Sequence, residues 1–161
     1  MADITALSEF KHGVELLRNG FAADALEYLR HASELEPRNA HYLSFLGVAI
    51  GRAQREWYAA AHLCETALHS RRNEAQLYLN LAEVYVGGGR RKDAAKLLDT
   101  ALKHCGNDVR LVHLRGRLEK RSAPVLPFLG RKHFLNRNLG KLRHAVSGHL
   151  HKVVAPQQLL R

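Results

Sequence analysis

Cysteine is scarce in this chain of 161 residues: there are two, Cys64 and Cys105, 41 positions apart. That spacing fits no metal finger or ribbon, and two thiols cannot make the cross-linked framework of a small secreted domain. They read as free thiols in a reducing compartment, which gives a cytoplasmic expectation. Long apolar runs are also missing. The longest, Leu43 to Gly51, is far short of the ~20 residues that cross a bilayer. The opening "MADITALSEF" has acids and no basic-then-apolar stretch, so no secretory signal is expected. Acid is missing from the C-terminal part. The first 114 residues hold 14 basic and 14 acidic side chains, whereas the last 47 hold 11 basic ones and only Glu119. The whole net charge of +10 therefore sits in that last segment. Such asymmetry marks a surface for something acidic.

What is present suits one folded domain. Hydrophobic residues make up 46% and charged residues 25%, enough for a core and not a disordered composition. The small residues repeat. Gly13, Ala25 and Ala32 are spaced by 12 and 7, Gly47, Ala60 and Ala67 by 13 and 7, and Ala82, Ala94 and Ala101 by 12 and 7. Antiparallel helices approach closely only where side chains are small, so this register predicts three stacked helix pairs. Leu16, Ile50 and Tyr85 in the first helices, and Leu29, Cys64 and Leu98 in the second, continue a buried stripe. Gly20 and Gly87 to Gly89 fall at turns, Pro37 ends the first pair, and Asp108 is placed to cap the helix after the third pair.

"GVELLRNGFAADALEYLRHASELEPRN" and "LAEVYVGGGRRKDAAKLLDTAL" resemble the tetratricopeptide repeat family. The middle unit departs from that pattern. It has one extra residue between its helices, no turn glycine, and Arg72 at the place of the closing proline, while Trp57 fills the large aromatic position. The resemblance implies an all-α, right-handed superhelical solenoid of three helix-turn-helix units, at 6–39, 40–73 and 74–107. "DVRLVHLRGRLEKR" reads as a capping helix over 108–121. A connector at 122–135 with Pro124 and Pro127 comes next, then a basic amphipathic helix at 136–154 and a tail at 155–161.

No catalytic constellation is found, and no enzyme, cofactor or metal is expected. "GGGRRKDA" lacks the Ser or Thr after Lys and the preceding strand of a phosphate loop. His149 and His151 point about 200° apart on a helix and cannot chelate together. The scattered His12, His31, His62, His69 and His104 read as partly exposed packing residues.

In the family the first helices line a concave groove that grips an extended peptide or a partner helix. By that resemblance the groove residues are Leu7, Phe10, Val14 and Leu17, then His41, Ser44, Val48 and Arg52, then Gln76, Leu79, Glu83 and Val86. The capping helix adds Arg110, His113, Arg117 and Lys120. Such a groove is apolar at one end and basic at the other, and fits a protein or peptide with apolar anchors and acids. Alternatively, the apolar end packs on a second copy of the chain, making a homo-oligomer. The Lys and Asn positions with which some family members clamp chaperone C-termini carry Phe10, Val14 and Phe45 here, so chaperone-tail binding is not expected. The basic C-terminal patch comprises Arg131, Lys132, Arg137, Lys141, Arg143 and Lys152. It is expected to cap the solenoid and meet an acidic partner. Binding of an anionic membrane or nucleic acid is its alternative use, although aromatics for reading bases are few.

Overall fold

The computed structural model describes residues 2–119. Lys120, the connector and the basic C-terminal patch, including the helix expected at 136–154, lie outside the described residues. Seven α-helices and no strands occur among the described residues: α1 (Ala2–Arg18), α2 (Ala22–Leu35), α3 (Ala40–Gln54), α4 (Trp57–Ser70), α5 (Ala75–Gly87), α6 (Arg91–Cys105) and α7 (Val109–Glu119).

The helix ends are set by local chemistry. The Asn39 side chain accepts hydrogen bonds from the His41 and Tyr42 amides, capping α3. Asp108 accepts from the Arg110 amide at 2.8 Å and starts α7 in the same way. The first and third turns reverse through Gly20 and Gly89, at φ +89° and +78°. Only glycine adopts such angles without cost. The turn between α3 and α4 has no glycine, and Arg55 takes the left-handed conformation instead, at φ 61°.

Each first helix packs against its own second helix, and each second helix against the next first helix: α1 on α2, α2 on α3, and so on to α7. First helices also touch one another across repeats, α1 with α3, α3 with α5 and α5 with α7, whereas α2 and α4, and α4 and α6, do not touch. The stack is therefore curved, with the first helices inside.

The small-residue register forms the close contacts. Ala25, Ala32, Ala60, Ala67, Ala82, Ala94 and Ala101 have no exposed surface, nor do Leu29, Cys64 and Leu98 between them. A Cβ on Gly47 would stand 2.7 Å from the Cys64 sulfur and 2.8 Å from the Ala60 carbonyl oxygen, so α3 and α4 meet backbone to backbone there. Each fully buried leucine contributes about 1.5–3 kcal/mol of transfer free energy.

The glycine run at 87–89 differs from its reading as a turn alone. Gly89 makes the turn, but Gly87 is the last residue of α5. The space beside Gly87, Gly88 and Gly51 is filled by the Trp57 indole, and a Cβ on Gly87 would collide with its ring. The tryptophan of the second repeat thus docks into a glycine notch of the third.

Candidate functional site: the inner face of the first helices

The inner face begins at α1. Leu7 is exposed, while Phe10 and Val14 are half-buried. The Phe10 ring stacks on Tyr42 at 4.6 Å and meets Phe45 edge-on at 5.3 Å, which joins α1 to α3. Phe10 and Phe45 are therefore committed to packing between helices.

Three groove positions read from the sequence belong to the core instead. Leu17 and Val48 are each 4% exposed and Ser44 is fully buried. For Ser44 and Val48 the reason is coverage. Helix α3 lies between α1, α2, α4 and α5, and eight of its fifteen residues are buried. A helical stripe that would be open on an end helix is closed on this one.

Polar groups then bind the first helices into a single surface. Arg52 on α3 donates from Nε to Glu83 on α5 at 2.6 Å and from Nη1 to the Leu17 carbonyl of α1 at 2.8 Å. The second bond reaches a carbonyl at the end of α1 that also accepts from the Gly20 amide at 3.3 Å. Further along, Asn80 Nδ2 donates to Ser44 Oγ at 3.0 Å, Gln76 Nε2 donates to Asn80 Oδ1 at 2.8 Å, and Arg110 Nη1 donates to Gln76 Oε1 at 3.0 Å. This chain of bonds crosses from α3 through α5 to α7. The Asn80–Ser44 bond is buried, the Gln76–Asn80 bond is partly buried and the Arg110–Gln76 bond is exposed, so the register between α3 and α5 is fixed most firmly at the Ser44 end. Asn80 was missed in the sequence, although it is the one amide in the apolar stretch "LYLNLAEVYV".

The remaining positions line the same side. His41 lies 3.9 Å from Glu74, Leu79 and Val86 are half-buried, and His113 and Arg117 on α7 are exposed. Arg110 is not a free cation. It pairs with Asp108 at 2.9 Å, and hydrogen bonds from Arg110 hold the Asp108 carboxyl below its usual range. The basic end is thus carried by His113 and Arg117 more than by Arg110.

Both cysteines are free. Burial pushes the Cys64 thiol up to about 12, and its sulfur donates to the Ser44 carbonyl at 3.3 Å. A thiol held neutral in this way is a packing group. Among the described residues no three His, Cys, Asp or Glu side chains cluster to hold a metal ion, and no helix is long and apolar enough to cross a membrane.

A second concavity lies on the edge of the stack where the turns of the second and third repeats meet. It has a volume of about 420 Å³ and is lined by Arg55, Glu56, Trp57, Tyr58, Ala59, Val84, Tyr85, Gly88 and Arg90. The Arg90 guanidinium lies 4.1 Å over the Tyr85 ring, and the Tyr85 hydroxyl donates to Glu65 at 2.6 Å.

Consecutive antiparallel helix pairs, small residues at every close contact, and first helices on the inside of the curve define a helical-repeat solenoid. The tetratricopeptide repeat profile matches residues 52–118. The first repeat domain of Spaghetti (RPAP3) bound to the HSP90 peptide SRMEEVD is similar, with a TM-score of 0.59 and 16% identity over 71% of this chain and 92% of that one. The Arabidopsis OM64 repeat domain aligns with a TM-score of 0.61 and 18% identity over 76% and 100% of the two chains. The Yersinia enterocolitica type III secretion chaperone SycD, in complex with a peptide of the translocator YopD, gives a TM-score of 0.56 and 16% identity over 69% and 84%. No curated protein matches by sequence. Residues 52–118 thus resemble the tetratricopeptide repeat family, and the fold of the described residues is that of its solved domains.

Proposed function

We propose that this chain is a non-catalytic protein-interaction adaptor that binds a partner peptide or helix on the inner face of its first helices. The observation that carries this reading is the cross-linking of that face by Arg52 and by the Ser44–Asn80–Gln76–Arg110 chain. A surface already fixed by its own hydrogen bonds loses little freedom when a partner docks, which favours affinity. Peptide-bound repeat domains such as those of Spaghetti and SycD support the use of this fold for peptide capture.

The partner has apolar anchors for the Leu7, Leu79 and Val86 side and acids for the His113 and Arg117 end. A chaperone C-terminal carboxylate is not the proposed ligand, because Phe10 and Phe45 are spent on contacts between α1 and α3. The basic segment carrying Arg131 to Lys152 supplies positive charge for acidic residues of the same partner, in the cytoplasm.

The test compares affinity capture by the full chain, by a Leu79→Glu, Arg117→Glu double variant, and by a truncation ending at Glu119. The double variant is expected to lose its partners while the truncation keeps the one held on the inner face. An unchanged partner list for the double variant overturns the reading. Loss of all binding on truncation, with steep salt dependence in the intact chain, assigns the function to an anionic surface met by the tail.

A further inference from the structure

The cavity at the turn edge is separate from the inner face and takes no part in the adaptor's groove. Its floor is rigid. The Trp57 indole is wedged against Gly51, Gly87 and Gly88, where no side chain larger than hydrogen fits without a shift. The hydroxyl of Tyr85 and the guanidinium of Arg90 are engaged, with Glu65 and with Asp93 at 2.8 Å. Two lining groups are left open. Tyr58 is 87% exposed although large and aromatic. Arg55 makes no ion pair among the described residues, and it occupies the left-handed conformation that glycine occupies in the turns of the neighbouring repeats. That conformation costs a non-glycine residue about 1–2 kcal/mol. It holds the cation at the mouth of an aromatic pocket.

We propose that this pocket is a second peptide site, which takes one bulky apolar side chain from a partner and pairs an adjacent carboxylate with Arg55. The volume of about 420 Å³ lies in the range of pockets that hold a ligand group of this size. Trp57, Tyr58 and Val84 supply the apolar walls, and exposed aromatics with arginine are the residue types that concentrate binding energy. Arg90 is neutralised by Asp93, so Arg55 is the lining cation without an ion pair among the described residues, and a carboxylate is its complement. An open mouth bordered by the exposed Tyr58 suits a segment of chain that runs past the cavity. A partner held on the inner face and a second peptide held here would give the adaptor two independent contacts.

The test uses the full chain and three blocked tripeptides, Ac-Asp-Phe-Asp-NH2, Ac-Asp-Ser-Asp-NH2 and Ac-Lys-Phe-Lys-NH2. The readout is the emission of Trp57, the one tryptophan in the chain, together with amide shifts at Arg55 and Gly88. The acidic phenylalanine peptide is expected to give a saturable change, and the other two to bind about tenfold more weakly or worse. Arg55→Glu and Ala59→Leu, both at exposed positions that tolerate change, are each expected to weaken binding about tenfold with helical circular dichroism unchanged. Arg117→Glu on the inner face leaves it unaltered. The proposal is overturned if the three peptides bind alike, if none perturbs Trp57 or the two amides, or if both pocket variants bind as the parent does.

Discussion

Replacing Gly47 by alanine tests the close approach of α3 and α4 with the smallest possible change. In an open helix position, Gly→Ala gains about 1 kcal/mol. At Gly47 the added methyl would stand 2.7 Å from the Cys64 sulfur and 2.8 Å from the Ala60 carbonyl oxygen. The sulfur has no room to retreat, because Cys64 has no exposed surface and already donates to the Ser44 carbonyl. The oxygen belongs to the backbone of α4 and cannot rotate away. The two helices must separate, and overpacking of this kind costs about 1–3 kcal/mol. Gly47→Ala is therefore expected to destabilise the protein by about 1 kcal/mol net. Gly116→Ala is the control. No atom lies within 4 Å of its added methyl, so the helix-propensity gain of up to about 1 kcal/mol is realised. Urea denaturation followed by helical circular dichroism should move the two midpoints in opposite directions, by roughly 1 M in total. If both variants are stabilised equally, α3 and α4 do not touch at Gly47 and the packing argument fails.

Four further outcomes rest on the packing of the stack. Trp57→Ala empties the notch formed by Gly51, Gly87 and Gly88 and should cost about 2–4 kcal/mol in urea denaturation, whereas a cost below about 0.5 kcal/mol would place the indole in solvent. Arg55→Gly relieves the left-handed turn and should stabilise by about 1 kcal/mol, so a loss of stability would mean that Arg55 is held by contacts that outweigh the strain. In native protein Cys105 should react with an aromatic disulfide well before Cys64, because burial holds the Cys64 thiol neutral up to about 12. Both Cys64 and Tyr85 have folded-state values raised to about 12, from ordinary values of 9.0 and 10.0. Their contribution to stability is whole below pH 9 and is lost as pH rises towards 12. An alkaline titration of the urea midpoint that stays flat between these limits would contradict the burial of both groups.

The repeat was legible because small residues cannot be exchanged for large ones where helices cross. Gly13, Gly47 and the alanines could be read as contacts from their spacing alone, and the leucines between them went with it. Which inner-face positions stay exposed was not legible in the register. Helix α1 has one repeat beside it, so Leu7 remains exposed. Helix α3 has neighbours on both sides, and the same register positions, Ser44 and Val48, become core. Leu17 was buried by the reach of the Arg52 and Val48 region across α1, a contact between residues far apart in the chain. Gly87 and Gly88 looked like turn residues because a local window cannot show the indole that arrives from thirty residues earlier. Arg55 carried no signal at all, since a left-handed residue is announced only when it is glycine or asparagine.

The adaptor reading rests on where a partner touches the stack. The direct measurement is photo-crosslinking in cell extract with a benzophenone amino acid placed singly at His113 on the inner face or at Glu27 on the outward-facing α2, in the full chain. A discrete protein adduct is expected from position 113, competed by unlabelled parent chain, and none from position 27. An adduct from position 27 alone, or equal adducts from both, would contradict binding on the inner face.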